Sequence, residues 1–276
     1  MSVERPVRSE DVTSFWLRRG HLSLNIQPNF YSSQLGSEIS KEISLYLNQE
    51  FFFLQTALHR IIELTSPKCI DNLNTSINRK IEYLVLAKNV GFDVPSTSIV
   101  QSKTALNRFF IENNGMVVAK AINENIMFDI KNGDGVVCPT VVITDTDVEK
   151  SSDKFFPTLL QQKVQKKIDI RVFYFLGKVY STAIFTPEKH KSEIDYRVVD
   201  RIGENLTRIV PYKLSESDVE KVERFMKLVG RESGSLDFVL SFDNKMYFLE
   251  LNPVGQFGFI SDACNFYIEK EIAKKL

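Results

Sequence analysis

Asp237, Glu250 and Asn252 are the residues whose types and spacing could do chemistry together. They lie in SLDFVLSFDNKMYFLELNPVGQFGF (residues 235–259), two alternating and mostly apolar runs around Asp243-Asn244, a pair that tolerates the positive φ of a tight hairpin. Closed at that turn, the hairpin is expected to set Ser241 opposite Met246, Val239 opposite Phe248 and Asp237 opposite Glu250. Two carboxylates on one rung have Cβ atoms about 5 Å apart and repel unless a cation lies between them. Asn252 points to the same face as Glu250, with Val239, Met246 and Phe248; the other face carries Leu236, Phe238, Leu240, Phe242, Leu249 and Leu251. Both faces are too apolar for a solvated edge ribbon, so both are expected to be covered. Covered carboxylates must be neutralised, and two acids with an amide oxygen form a hard-oxygen set suited to Mg²⁺ with room for phosphates.

Just beyond, in Asn252-Pro253-Val254-Gly255-Gln256-Phe257, proline fixes the chain past the last ligand. Gly255 is expected to let backbone approach a bound group closely. The chain contains neither G-x-x-x-x-G-K-[ST] nor G-x-G-x-x-G, so a nucleotide must be held without a glycine loop around its phosphates.

L-D-F-V-L, a turn, then Y-F-L-E-L-N-P resembles the metal hairpin of ATP-grasp ligases. The longer run FLELNPVGQFGFISDACNFYIEKEIAKKL is similar to the C-terminus of the peptide maturases of grasp-with-spasm systems, relatives of the enzymes that macrocyclise microviridin-type peptides. The resemblance extends from residue 13 onward and implies an α/β chain with the ATP-grasp fold. Two α+β lobes, residues 76–165 and 166–276, would clasp ATP, preceded by a small α/β domain over residues 1–75. The segment FWLRRG (residues 15–20) resembles the interior of that first domain, where a strand and helix normally come earlier. The chain is therefore expected to begin late, with that domain incomplete.

The resemblance also implies roles. Asp237, Glu250 and Asn252 would hold two Mg²⁺ ions, with Asn252 also counted as catalytic. Lys80, in Asn78-Arg79-Lys80, matches an N-K dipeptide whose lysine reaches nucleotide phosphates. Lys120 ends the apolar run Met116–Lys120 and would reach the α- and β-phosphates from beneath the purine as a point charge. Read alone, Lys80 is a solvated first-turn lysine and Lys120 an edge guard. Gln161-Gln162-Lys163-Val164 is the expected adenine hinge, with Asp169 and Leu249 as further nucleotide contacts. Related enzymes carry a glutamate where this chain has Gln162, and an amide is the weaker acceptor for a ribose hydroxyl. Arg171 shares a face with Phe173 and Phe175 and needs an anionic partner, either Asp169 two residues away or a phosphate. The D-I-R motif implies a transferred phosphate. Arg197, in Glu193-Ile194-Asp195-Tyr196-Arg197, resembles the D-[FW]-R segment of peptide-modifying members. It would meet the acyl phosphate or substrate carboxylate, held by Asp195, unless the two form only a surface ion pair. Arg208 is a further expected anion contact.

The activity so implied is ATP-dependent ligation. A carboxylate of a precursor peptide's Asp or Glu is activated as an acyl phosphate and captured by a Ser or Thr hydroxyl or a Lys amine. Two readings compete with it: a ligase acting on free amino acids or small peptides, and a nucleotide-binding module without turnover. Composition narrows the field further. The 35 basic and 35 acidic residues cancel, which removes the electrostatic case for nucleic acid. Cys69, Cys138 and Cys264 are odd in number and without C-x-x-C, as in a reducing cytoplasm. No apolar run is long enough for a membrane span. The histidines, at 21, 59 and 190, have no metal-like spacing. A homodimer is expected by analogy with paired maturases.

Apolar periodicity predicts helices over residues 38–64, 78–89 and 217–229, the last with Ser217 and Glu220 as a capping box. A strand is expected near residue 15, and hairpins turning at Asn132–Gly135 and at Leu176-Gly177.

Overall fold

The computed structural model describes residues 8–18, 37–72, 78–122, 127–129, 135–137, 140–186 and 207–276. The chain divides into two compact units, Met1–Ile77 with Ile272–Leu276, and Asn78–Glu271. In the first unit, β1 (Ser14–Trp16) pairs in parallel with β2 (Lys68–Ile70), Phe15 opposite Cys69. Between them in sequence runs the 29-residue helix α1 (Ser37–Thr65). Its pattern is inverted: Ser40, Ser44 and Gln55 are buried, whereas Ile39, Tyr46, Phe53, Leu54, Ile61 and Leu64 are exposed. No described helix is long and apolar enough to cross a membrane.

The second unit opens with α2 (Lys80–Asn89), which ends at Gly91, whose φ of +95° suits glycine. A four-stranded sheet comes next, ordered β3-β8-β4-β7, from β3 (Thr97–Ser102), β4 (Val117–Lys120), β7 (Val141–Ile143) and β8 (Lys154–Gln162). Helices α3 (Lys103–Glu112) and α4 (Asp145–Lys150) cover one side through Leu106, Phe109, Phe110 and Val148. Strands β5 (Met127–Asp129) and β6 (Gly135–Val137) pair antiparallel as the glycine-rich stretch predicts; residues 130–134 of the turn itself lie outside the described set.

The larger sheet has the order β11-β10-β9-β12-β13, built from β9 (Lys166–Phe175), β10 (Lys178–Phe185), β11 (Arg208–Pro211), β12 (Ser233–Ser241) and β13 (Met246–Asn252). The β9–β10 turn is Leu176-Gly177, both at positive φ as a two-residue hairpin requires. One face of this sheet is the core. Ile170, Val172, Leu236, Phe238, Phe248 and Leu251 pack against α2 and against α5 (Glu216–Val229) through Tyr83, Ala87, Val222, Phe225 and Met226. The N-cap of helix α5 lies two residues before the predicted one. Ser215 is the N-cap, accepting from the Asp218 amide at 3.1 Å, because S-E-S-D and S-D-V-E are overlapping capping patterns and the earlier one is used. Helices α6 (Gly258–Cys264) and α7 (Ile268–Ala273) close the chain.

Candidate functional site

The opposite face of the five-stranded sheet carries the charges. Asp237 on β12 is paired with Glu250 on β13, as expected, and on its other side with Arg171 on β9. One rung across three strands thus reads cation, acid, acid. Around it, however, the hairpin register differs from expectation. The turn spans Ser241–Lys245, so Val239 faces Tyr247 and Phe238 faces Phe248. The acids recover their pairing because the register shifts between Asp237 and Phe238, leaving Leu249 unmatched as a bulge. Phe248 and Met246 consequently belong to the core face, whereas Leu249 and Phe242 join Val239 on the cleft side.

Arg171 is 3% exposed, and its Nη1 donates to both oxygens of Asp237, at 2.7 and 2.8 Å. Its Nη2 donates to the Gln256 carbonyl at 3.3 Å, and Phe259 lies over the guanidinium at 5.9 Å. The anionic partner that the sequence required for Arg171 is here an acid 66 residues away, which neither periodicity nor the D-I-R motif suggested. Asp169 instead accepts from Lys166 at 2.8 and 3.1 Å. Lys80, in the first turn of α2, lies 3.9 Å from a Glu250 oxygen and 3.5 Å from the Ala121 carbonyl. It faces the acid rung and is not a solvated lysine.

Asn252 ends β13 opposite Ser235, and its Oδ1 accepts from the Val254 amide at 3.0 Å. Gly255 makes a close approach to the protein itself. A Cβ there would lie 2.1 Å from the Ser235 Cβ, so the turn is folded flat onto β12. Among the described residues no three His, Cys, Asp or Glu side chains form a metal-holding group. The donor set is two carboxylates and one amide, all oxygen, which fits Mg²⁺ better than a softer metal.

Beside the rung is a cavity of about 270 Å³, near the lower end of the size range of ligand pockets. Met116, Val118, Val164, Val239, Phe242 and Leu249 give it apolar walls; Lys120, Gln161, Gln162, Lys163 and Lys166 supply the polar ones. Lys120 donates to Gln161 Oε1 at 2.6 Å, and Gln161 Nε2 donates to the Thr97 hydroxyl at 3.2 Å. A buried amide thus holds the lysine over the cavity. In the hinge, the Lys163 amide already donates to the Met116 carbonyl and that of Gln162 to Ser96, both at 2.8 Å. Apolar walls with a polar rim suit a purine and its sugar.

The structure therefore brings Lys80, Arg171, Asp237, Glu250 and Asn252 together, and Lys120, Gln161–Val164 and Leu249 around the adjoining cavity. Arg208 lies apart on the edge strand, over the Phe185 ring. Asp195 and Arg197 lie outside the described residues. Sequence reasoning missed Lys166 and the cavity role of Val239 and Phe242. Lys166 stands three residues before Asp169, a spacing that strand alternation alone does not bring together.

No protein-family model matches the chain, and no curated protein does. Solved structures do, and they share one architecture, the ATP-grasp fold. The chain aligns over 99% of its length with 81% of the macrocyclase MdnC from Microcystis aeruginosa MRC, a structure bound with precursor peptide MdnA, at 21% identity and a TM-score of 0.76. A RiPP-associated ATP-grasp ligase from Chryseobacterium gregarium, in complex with ADP and a leader and core peptide, aligns over 96% of this chain and 75% of its own, at 22% identity and a TM-score of 0.73. PsnB, an ATP-grasp ligase complexed with a precursor variant, Mg and ADP, gives 20% identity and a TM-score of 0.69 over 96% of this chain and 79% of its own. The fold of this chain is that of the ATP-grasp ligases.

Proposed function

We propose that this chain is an ATP-dependent carboxylate ligase acting on a ribosomal precursor peptide. It would activate Asp or Glu side chains as acyl phosphates and close ester or amide crosslinks with Ser, Thr or Lys side chains. The observation that carries the proposal is the juxtaposition of an acid pair, flanked by Arg171 and Lys80, with an apolar cavity of nucleotide character. The solved neighbours, which include complexes with precursor peptides and with ADP, support the substrate class.

In this reading the adenine lies between Val118, Val239 and Leu249, with the hinge Gln161–Val164 at its edge and Asp169 as a further nucleotide contact. Lys120 and Lys80 screen the phosphates. Asp237, Glu250 and Asn252 hold Mg²⁺, which when bound neutralises the charge that migrates during phosphoryl transfer. Arg171 keeps Asp237 oriented and is assigned to a transferred phosphate; Arg197 is assigned to the acyl phosphate or the substrate carboxylate. The peptide carboxylate displaces ADP at the γ-phosphorus, and a hydroxyl or amine then displaces phosphate at the acyl carbon. Each crosslink removes one water overall, and no protein nucleophile is needed.

Cytoplasmic residence and a homodimer belong to the same proposal. The exposed apolar side of α1, including Tyr46, Phe53 and Leu64, is the surface on which a second copy would pack. The activity is tested with ATP, Mg²⁺ and a peptide bearing Thr, Ser, Asp and Glu near its C-terminus. Peptide-stimulated ADP release with loss of water from the peptide is expected; failure of any such peptide to stimulate ADP release or lose water sinks the proposal.

A further inference from the structure

The turn that carries Asn252 is gripped from both sides by guanidinium groups. Arg171 reaches the Gln256 carbonyl. On the other side Arg231, just past the end of α5, is 3% exposed and donates from Nε to the Ser233 carbonyl and from Nη2 to the Pro253 carbonyl, both at 2.9 Å. The β12–β13 ladder stops at Ser235 and Asn252, so no strand hydrogen bond holds Pro253 or Val254. Among the contacts that fix this part of the turn to β12, two stand out. One is the flat seating of Gly255 on Ser235, whose side chain is fully buried. The other is the Arg231 clamp between the start of β12 and the residue immediately after Asn252.

We propose that Arg231 is a positioning residue for the metal-bearing amide: by holding the Pro253 carbonyl against Ser233, it sets the direction in which Asn252 presents its side chain. Asn252 Oδ1 is tied to the Val254 amide, so the side chain moves with the backbone of the turn. That backbone is anchored through Pro253. Without Arg231, a buried carbonyl loses a charge-assisted partner, and the turn must rotate to find another. A lysine cannot replace the clamp, since a point charge on a flexible stem does not span two carbonyls as a planar fork does. The nucleotide cavity shares no residue with the clamp and keeps its walls.

This inference rests on the ligase reading, in which Asn252 is a metal ligand, and its test separates the two. ADP binding is measured by calorimetry with Mg²⁺ and with a chelator, in the parent chain and in Arg231→Lys, Gly255→Ala and Glu250→Gln. Arg231→Lys is expected to bind Mg²⁺-free ADP within about twofold of the parent while losing about tenfold or more of the tightening that Mg²⁺ provides. Gly255→Ala displaces the same turn by a different route and is expected to reproduce that loss, which keeps the test usable if Arg231→Lys does not fold. A merely structural Arg231 would lower thermal stability and leave the Mg²⁺ tightening intact, and that result overturns the inference. Equal weakening with and without Mg²⁺ overturns it as well. If Glu250→Gln retains full Mg²⁺ tightening, the metal-site reading itself falls; if Glu250→Gln loses it while Arg231→Lys and Gly255→Ala keep it, only the role of Arg231 falls.

Discussion

Asp237 and Glu250 face each other on one rung and share a proposed role, yet they are expected to differ sharply in what they contribute to folding. In Asp237→Asn the Arg171 guanidinium, 3% exposed, keeps its charge but loses its counter-charge and one of its two acceptor oxygens. Removing one partner of a buried ion pair costs about 3–5 kcal/mol, and the 17% exposure of Asp237 lowers that to roughly 2–4 kcal/mol. Glu250 sits 3.9 Å from Lys80, with side-chain exposures of 24% and 14%, so Glu250→Gln breaks only a long and partly wetted pair, worth about 1 kcal/mol or less. The assay is urea unfolding tracked by circular dichroism, since Trp16, the sole tryptophan, reports the other compact unit. With a slope of about 2–3 kcal/mol per molar, Asp237→Asn should shift the midpoint down by about 1 M and Glu250→Gln by a few tenths. Both variants should nonetheless lose Mg²⁺-dependent tightening of nucleotide binding. Equal midpoint shifts would refute the assignment of Arg171 to Asp237, and full Mg²⁺ tightening in Asp237→Asn would refute the metal role.

Lys120→Met removes the cation that Gln161 holds over the cavity and should weaken nucleotide binding about tenfold, with and without Mg²⁺ alike, read by calorimetry. Gln162→Glu restores the carboxylate of related hinges and should tighten nucleotide binding about threefold to tenfold; weaker binding would remove Gln162 from the sugar contact. Burial pushes the Tyr83 phenol above its ordinary value, with Arg231 pulling the other way. Tyr83 therefore stays protonated at a pH where the unfolded tyrosine ionises. Its contribution is fully present below about pH 10 and is lost as pH rises from there toward the folded value. Comparing urea midpoints at neutral and alkaline pH, Tyr83→Phe should show a shallower alkaline loss than the parent chain.

What the sequence made legible was what local rules decide. Alternation and Asp243-Asn244 pointed to Asp237 opposite Glu250, a pairing that holds only because a bulge offsets a longer turn, whereas Leu176-Gly177 was enough for the β9–β10 turn. The bulge was not visible, since an extra Leu in an apolar strand looks like one more alternating residue, and it moved Phe248 and Leu249 to opposite faces from those expected. The partner of Arg171 was hidden for a different reason. The adjacency of β9 and β12 is a property of sheet order, and no periodicity within either strand encodes it. Gly255 was read correctly as a close-approach residue, but which surface it approaches depends on where the chain goes after Pro253. Ser215 and Ser217 both begin plausible caps, and the helix uses the earlier one.

The unmatched Leu249 has a consequence for how this hairpin can change length. In a regular strand, neighbours in sequence point apart, so an apolar wall for a ring and an acid for a cation could not be supplied by consecutive residues. The bulge lets Leu249 and Glu250 serve both needs at once. Excising Leu249 would leave Glu250 still across from Asp237 on a flat ribbon and would strip one wall from the neighbouring hollow. In the proposed ligase reading, a single codon thereby separates grip on the base from grip on the ion.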